Sequence, residues 1–168
     1  DLAAACFAMG TACPSSALAY FFHNSSVSRG TLPLAAIEEG LFSEDEILVV
    51  RKYAEDLLRR IPNQWTGNFA SESGKSSKSA VMIATEARPT EGGWLLTGEK
   101  SFGCNTGTAD EYLVNAKLAG AEDVSGIALF TVKSDAEGLS ARTKWDAIGM
   151  RATATHGLIL EDVFVPAE

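Results

Sequence analysis

The sequence lacks the features by which several classes of protein are recognised. Basic residues are outnumbered, with 14 Lys and Arg against 22 Asp and Glu, which excludes a protein whose main task is to neutralise nucleic-acid phosphates. The three cysteines have neither the number of a disulfide framework nor the spacing of a metal site, which predicts reduced thiols and a cytoplasmic location. No Gly-rich dinucleotide motif, Walker loop, H-E-x-x-H pair or nucleophile elbow is present in the sequence.

Charge is missing from residues 2–28, a stretch long enough to span a membrane. Pro14, Ser15 and Ser16 interrupt this stretch, and no basic segment of a signal peptide precedes it. We therefore predict two buried helices that are broken near Pro14, with Ser15 or Ser16 as the N-cap of the second and no insertion into a membrane. A membrane or targeting segment is the less favoured alternative. His23, at the end of the second helix, is expected to be structural.

The clearest helix is predicted over residues 43–61. Ser43 and Glu46 have the spacing of a capping box, in which two free amide donors at the helix start are satisfied. Pro62 then ends the helix. The apolar residues of this segment recur at helical spacing and form one core-facing stripe: Ile47, Val50, Ala54, Leu57, Leu58 and Ile61.

Beyond Pro62 the sequence changes to short apolar runs that are separated by Gly-rich or acidic turns. A turn is predicted over 89–93, and strands are predicted at 81–87, 94–96, 112–118, 127–132 and 158–165. Such a pattern is typical of a barrel or a sandwich. The predicted fold class is therefore α+β, with a helical part over 1–61 followed by a β-barrel-like domain over 62–168.

Three segments carry the chemistry. The first, at 69–77, reads F-A-S-E-S-G-K-S-S, and the second, at 97–105, reads T-G-E-K-S-F-G-C-N. The third reads I-G-M-R-A-T at 148–153 and continues as L-E-D-V-F-V-P-A-E at 160–168. Through the order and spacing of these segments, the chain resembles the acyl-CoA dehydrogenase family of flavoproteins. The resemblance implies that its middle β domain binds FAD together with a carboxyl-terminal helical domain, which is expected to be absent from this sequence.

In the family, the first segment reads roughly T-E-P-G-A-G-S, and its Thr and backbone contact the flavin. The resemblance places Ser71 at the Thr position and Ser76 or Ser77 at the final serine, with Ser77 favoured and also assigned to the acyl-CoA substrate. Phe69 and Ala70 complete the cofactor contacts implied for this segment. Hydroxyl groups and glycines suit a diphosphate because they donate hydrogen bonds and let the backbone approach it. Taken alone, the segment would be interpreted as a Ser- and Gly-rich surface loop.

The second segment departs from the family pattern G-x-K-x-W-I-T-N, in which Trp covers the flavin ring and Thr bonds its reactive nitrogen. The resemblance places Phe102, Gly103 and Cys104 at the Trp, Ile and Thr positions, and it implies that all three contact the cofactor. A thiol is a weaker donor than a hydroxyl, so tuning of the flavin nitrogen is expected to differ here. Lys100 matches the pattern. It is interpreted, with Lys75 and Lys78, as a solvated surface lysine, and the alternative is that these lysines give a local positive potential toward a CoA or FAD phosphate.

The function implied by the resemblance is FAD-dependent α,β-dehydrogenation of an acyl-CoA thioester, in a homotetramer or dimer that passes electrons to an electron-transfer flavoprotein. The catalytic base of the family is a Glu of the carboxyl-terminal domain, expected beyond residue 168, so no catalytic residue and no metal ligand is predicted here. Residues 1–168 alone are expected to be inactive. Two alternatives remain open. One is a flavin-dependent monooxygenase or oxidase of the same fold, which the altered Phe102-Gly103-Cys104 wall favours, and the other is a non-catalytic scaffold homologue.

Overall fold

The computed structural model describes residues 1–72, 83–142 and 146–167. Four helices come first in the chain: α1 (Leu2–Ala12), α2 (Pro14–Ser25), α3 (Ser28–Glu38) and α4 (Glu44–Arg60). In the described ranges the strands follow: β1 (Thr66–Phe69), β2 (Glu86–Thr90), β3 (Gly93–Gly103), β4 (Glu111–Leu118), β5 (Ile127–Lys133), β6 (Leu139–Arg142) and β7 (His156–Pro166). Helices followed by strands confirm the predicted α+β class.

The strands form one curled, mixed sheet. β2, β3, β7 and β6 lie side by side as antiparallel neighbours. β4 joins this set through a short parallel pairing with β2, and it also pairs parallel with β1 and antiparallel with β5. Apolar side chains from most of the strands share one buried core, which includes Phe69, Leu96, Val114, Phe130 and Leu158. The curled sheet confirms the predicted barrel-like architecture in the form of a half-barrel.

α4 forms as its sequence predicts. Ser43 is the N-cap, and the Glu46 carboxylate accepts a hydrogen bond from the Ser43 backbone N–H at 2.9 Å, as a capping box requires. Ala54 and Leu57 of the apolar stripe are fully buried. A short 3₁₀ turn that contains Pro62 follows the last helical residue and leads the chain towards β1.

The break between the first two helices is confirmed, but two details of the prediction are wrong. The N-cap of α2 is Cys13, because Pro14 occupies the first helical position, where its missing N–H is no loss; Ser15 and Ser16 therefore lie inside the helix. No residue of α1 is buried, and the Phe7 side chain is 78% exposed, so α1 is not the predicted core helix. None of the helices among the described residues is both long and apolar enough to cross a bilayer.

The start of the β part also differs from the prediction. Residues 83–85 of the predicted strand 81–87 are not in a strand, because the backbone N–H groups of Ala84 and Thr85 donate to the Glu72 carboxylate. Residues 81 and 82 lie outside the described residues. The predicted turn over 89–93 is too long, since Pro89 lies in β2 beyond the stretch that pairs with β4. A proline, which has no N–H to donate, is tolerated there because β4 no longer pairs with β2 at this position.

Three elements have no clear signal in the sequence. β1 and β6 have four residues each, and α3 contains Gly30 and Pro33, both of which disfavour a helix interior. Gly30 is required by packing, because a Cβ at this position would lie 2.6 Å from the Leu58 side chain of α4. Tertiary contact with α4 therefore outweighs the low helix propensity of this segment.

Candidate functional site

A cleft of about 460 Å³ lies where α2 and α3 meet the sheet. Its walls come from these two helices, the end of β1, the end of β3 and the segment 149–155 that precedes β7. This volume falls in the range of ~300–1,000 Å³ that is usual for small-molecule and cofactor sites. Arg29 is the one charged side chain among the described residues that line it, so the cleft carries positive charge in a protein of net charge −8.

The two predicted cofactor segments meet on one wall of this cleft. Ala70 and Ser71 line it from the end of β1, and Phe102, Gly103 and Cys104 line it from the end of β3. The Ser101 backbone N–H donates to the Ser71 carbonyl at 2.9 Å, and this bond holds the two segments side by side. Ser76 and Ser77 lie outside the described residues.

Phe69 does not line the cleft. Its ring is buried in the core, edge-to-face with Tyr112 at a centroid separation of 5.1 Å. The ring lies directly against Gly103, where a Cβ would come within 2.6 Å of it. Phe69 therefore fills the space that a side chain at position 103 would occupy. Its predicted contact with a cofactor stays a prediction.

Phe102 and Met150 are two large apolar residues that line the cleft. Phe102 is 41% exposed and Met150 is 39% exposed. Large apolar side chains that stay exposed around a concave surface are typical of ligand-binding sites. Phe102 therefore offers a flat apolar wall on which a heteroaromatic ring can stack.

Next to Phe102, a chain of polar groups lines the cleft. The Cys104 Sγ lies 3.2 Å from the Thr155 Oγ1, and the Thr155 Oγ1 lies 2.6 Å from the Thr153 Oγ1. The Thr153 hydroxyl donates in turn to the Met150 carbonyl at 2.9 Å. Thr155 has no signal in the sequence, because its link to Cys104 joins positions that are 51 residues apart.

Asn105 positions this polar chain. Its Nδ2 donates to the Thr66 carbonyl at 3.1 Å and to the Ala19 carbonyl at 3.3 Å, while its backbone N–H donates to the Thr153 carbonyl at 3.0 Å. Its φ of 70° is in the left-handed region, which Asn tolerates better than most residues. Asn105 thus connects α2, β1 and the 149–155 segment at the residue that follows Cys104.

Glu72 and Lys100 form a buried ion pair behind the cleft. The Lys100 side chain is fully buried, which contradicts its predicted place at the surface, and its Nζ donates to the Glu72 Oε1 and to the Asn115 carbonyl, both at 2.5 Å. Burial by itself would raise the pKa of Glu72, but hydrogen bonds from Lys100, Thr85 and Ala84 outweigh it and hold this pKa below its usual value. Glu72 is thus a charged anchor for the segment that carries Ser71.

His23 is structural, as predicted. Its Nδ1 accepts a hydrogen bond from the Thr66 backbone N–H at 3.1 Å, and its ring stacks on Trp65 with centroids 4.2 Å apart. Burial lowers the pKa of His23, so the neutral imidazole is the form that fits. Among the residues that the structure describes, no cluster of His, Cys, Asp or Glu is arranged to hold a metal ion.

The fold is a half-barrel sheet preceded by four helices, and two of these helices form a cleft with the sheet. A family model for the acyl-CoA dehydrogenase middle domain matches residues 68–163, which is more than half of the chain. The chain therefore belongs to the acyl-CoA dehydrogenase family.

Individual relatives agree with this assignment. The mitochondrial isovaleryl-CoA dehydrogenase of Solanum tuberosum is 31% identical over 112 residues, which cover 67% of this chain and 27% of that protein. An acyl-CoA dehydrogenase complexed with FAD from Bacillus anthracis superimposes with a TM-score of 0.61 at 29% identity, over 91% of this chain and 25% of that one. A nitrososynthase from Micromonospora carbonacea var. africana superimposes with a TM-score of 0.71 at 27% identity, over 99% of this chain and 39% of that one. The chain spans about a quarter of the length of the curated relatives it matches.

Proposed function

We propose that this chain supplies one wall of the FAD site in an enzyme that dehydrogenates an acyl-CoA thioester between its α and β carbons. The observation that carries the proposal is the convergence of Ser71, Phe102 and Cys104 on one cleft. Membership of the family and the likeness to a dehydrogenase described in complex with FAD support it.

The cleft fits such a cofactor chemically. Phe102 would cover one face of the ring, while the polar groups at Ser71, Cys104 and Thr155 would meet its edge. Arg29 would favour an anionic part of the cofactor or substrate. Bound FAD supplies the acceptor for a hydride. This chain's own residues would position the ring.

The finer features remain part of the proposal. They are a helical part over 1–61 and a middle domain over 62–168, a Glu base in a further domain, and substrate contact at Ser77. An electron-transfer flavoprotein as partner, a homotetramer or dimer, and a cytoplasmic location belong to it as well. Several related dehydrogenases are mitochondrial by name, so the cytoplasmic location of this protein stays a prediction.

A flavin-dependent oxygenase is the second candidate. Cys104 stands where the family's dehydrogenases have a hydroxyl donor, and the likeness to the nitrososynthase extends over 99% of the chain. A thiol would stabilise the charge that develops on a flavin during hydride transfer less well than a hydroxyl does. This candidate uses the same cleft with a different reaction partner.

The test is flavin content and reduction in the full-length protein that carries this chain. We expect a yellow protein whose flavin is bleached by an acyl-CoA under anaerobic conditions. Phe102→Ala should weaken FAD binding about tenfold, the scale of losing one aromatic contact. Phe164→Ala is the matched control, because that ring is 49% exposed on β7 and does not line the cleft.

The other outcomes separate the candidates. A bound flavin that no acyl-CoA reduces would favour the oxygenase if its reduced form reacts with oxygen and oxygenates an organic substrate. A protein that purifies without flavin and binds none would support the non-catalytic homologue and contradict both enzymatic candidates.

A further inference from the structure

We propose that Thr155 makes the corner of the cleft beside Cys104 a hydrogen-bond acceptor, so that this site binds reduced flavin more tightly than oxidised flavin. The proposal rests on the proposed function and on the family resemblance, which places Cys104 where a Thr bonds the reactive nitrogen of the flavin ring. That nitrogen carries an N–H in reduced flavin and only a lone pair in oxidised flavin. The polarity of this corner therefore discriminates between the two forms.

The hydroxyl groups of Thr153 and Thr155 donate in one direction, away from Cys104. The Met150 carbonyl can only accept, and the Thr153 Oγ1 lies 2.9 Å from it, so the single hydroxyl hydrogen of Thr153 goes to this carbonyl. The separation of 2.6 Å between the Thr153 and Thr155 oxygens then requires a hydrogen from Thr155. Both hydroxyl hydrogens point away from Cys104.

Thr155 and Cys104 supply the donors and acceptors that remain at this corner of the cleft. Thr155 has only lone pairs left for other partners, and the Cys104 thiol, 3.2 Å away, has one weak hydrogen to give to it. In the reverse arrangement Thr153 would donate to Thr155, and Thr155 would donate to the Cys104 sulfur. The bond to the Met150 carbonyl would be lost, and a poor acceptor would replace a good one. Of the Cys104, Thr153 and Thr155 side chains, only the thiol would then have a hydrogen to donate towards the cleft.

The backbone locks this arrangement. Thr153 is only 2% exposed, so water does not compete for its hydroxyl. The carbonyls of Thr153 and Ala154 accept from the backbone N–H groups of Asn105 and Thr106 at 3.0 and 2.8 Å, respectively. The threonine pair is therefore fixed relative to Cys104. The N–H of reduced flavin would therefore find an acceptor at this corner, whereas the nitrogen lone pair of oxidised flavin would face the lone pairs of Thr155.

The test is the dissociation constant of each redox form of FAD, measured anaerobically on the full-length protein. The wild type should bind reduced FAD more tightly than oxidised FAD. Thr155→Val should weaken binding of reduced FAD about fivefold, the scale of one hydrogen bond, with a smaller effect on the oxidised form. Thr131→Val on β5 is the matched control, because Thr131 does not line the cleft.

Thr153→Val gives the opposite and more specific result. Without an acceptor at 153, the Thr155 hydrogen is released towards the cleft, and binding of oxidised FAD should become about fivefold tighter. Thr153→Ala removes the same acceptor from position 153 and serves if Thr153→Val does not fold.

The outcomes are distinguishable. Failure of the wild type to bind either form of FAD overturns the proposed function and this inference with it. A wild type that binds both forms equally, or variants that shift both constants by the same factor, overturns the inference alone and leaves Thr155 a packing residue.

Discussion

Two residues near the end of β3 have the reverse of the burial that their chemistry favours. Lys100 carries a charge and is fully buried, whereas Phe102, an aromatic residue, is 41% exposed. A charged side chain is buried in a protein only when it is paired, and an exposed ring beside a cleft is typical of a binding surface. This part of the strand is therefore organised around the cleft. Lys100 does not line the cleft and holds the segment of Ser71 through its ion pair with Glu72, whereas Phe102 lines the cleft.

The largest expected effect comes from breaking the buried pair. Lys100→Met would leave the Glu72 carboxylate buried without its cation, which costs about 3–5 kcal/mol of unfolding free energy. The neighbouring pair of Glu99 and Arg142, at 3.0 Å, has side chains that are 57% and 42% exposed, so Arg142→Met is the matched control and should cost less than about 1 kcal/mol. Urea denaturation measures both variants. Equal losses would show that Lys100 is no more than an ordinary surface cation.

A second, smaller effect is expected at Gly103, the residue that separates the exposed ring from the thiol. Gly103→Ala would push a methyl group into the Phe69 ring, and overpacking of this kind costs about 1–3 kcal/mol of unfolding free energy. Gly149→Ala is the control, because a Cβ there meets nothing within 4 Å. If Phe69→Leu does not recover part of the loss at Gly103, the close approach of this ring is not its cause.

The sequence predicts the elements of this fold better than it predicts their contacts. The capping box at Ser43 and the apolar stripe of α4 are local signals, and both are confirmed. The cleft wall at Phe102 and Cys104 was identified through motif resemblance. Thr155 was missed, because its role depends on a contact across 51 residues that no local pattern encodes.

Lys100 shows the same limit from the other side. A lysine in a polar segment is ordinarily solvated, and only the tertiary position of Glu72, 28 residues away, makes its burial favourable. The exposure of α1 is a further case: its composition resembles that of a core helix, yet the described residues do not cover it. The apolar content of a helix predicts that its surface is buried, but it does not identify the surface that packs against it.

The smallest expected effect concerns His23, a buried polar residue of α2. Because burial lowers its pKa, the folded state binds fewer protons than the unfolded state once the pH falls below the ordinary histidine value of about 6.5. The stability that depends on neutral His23 is thus complete above that pH and is lost as the pH falls towards the lowered pKa, by at most about 1.4 kcal/mol per pH unit.

His23→Asn keeps an acceptor for the Thr66 N–H but does not titrate, so its unfolding free energy should fall less steeply than that of the wild type between about pH 7 and pH 5. Its loss at pH 8, where the imidazole is neutral in both states, measures the stacking on Trp65 separately. Parallel curves for the two proteins would mean that His23 takes up its proton as readily in the folded chain as in the unfolded one. In that case the buried network around Thr66 tolerates charge, and the contrast with Lys100, which is buried only because it has a partner, would disappear.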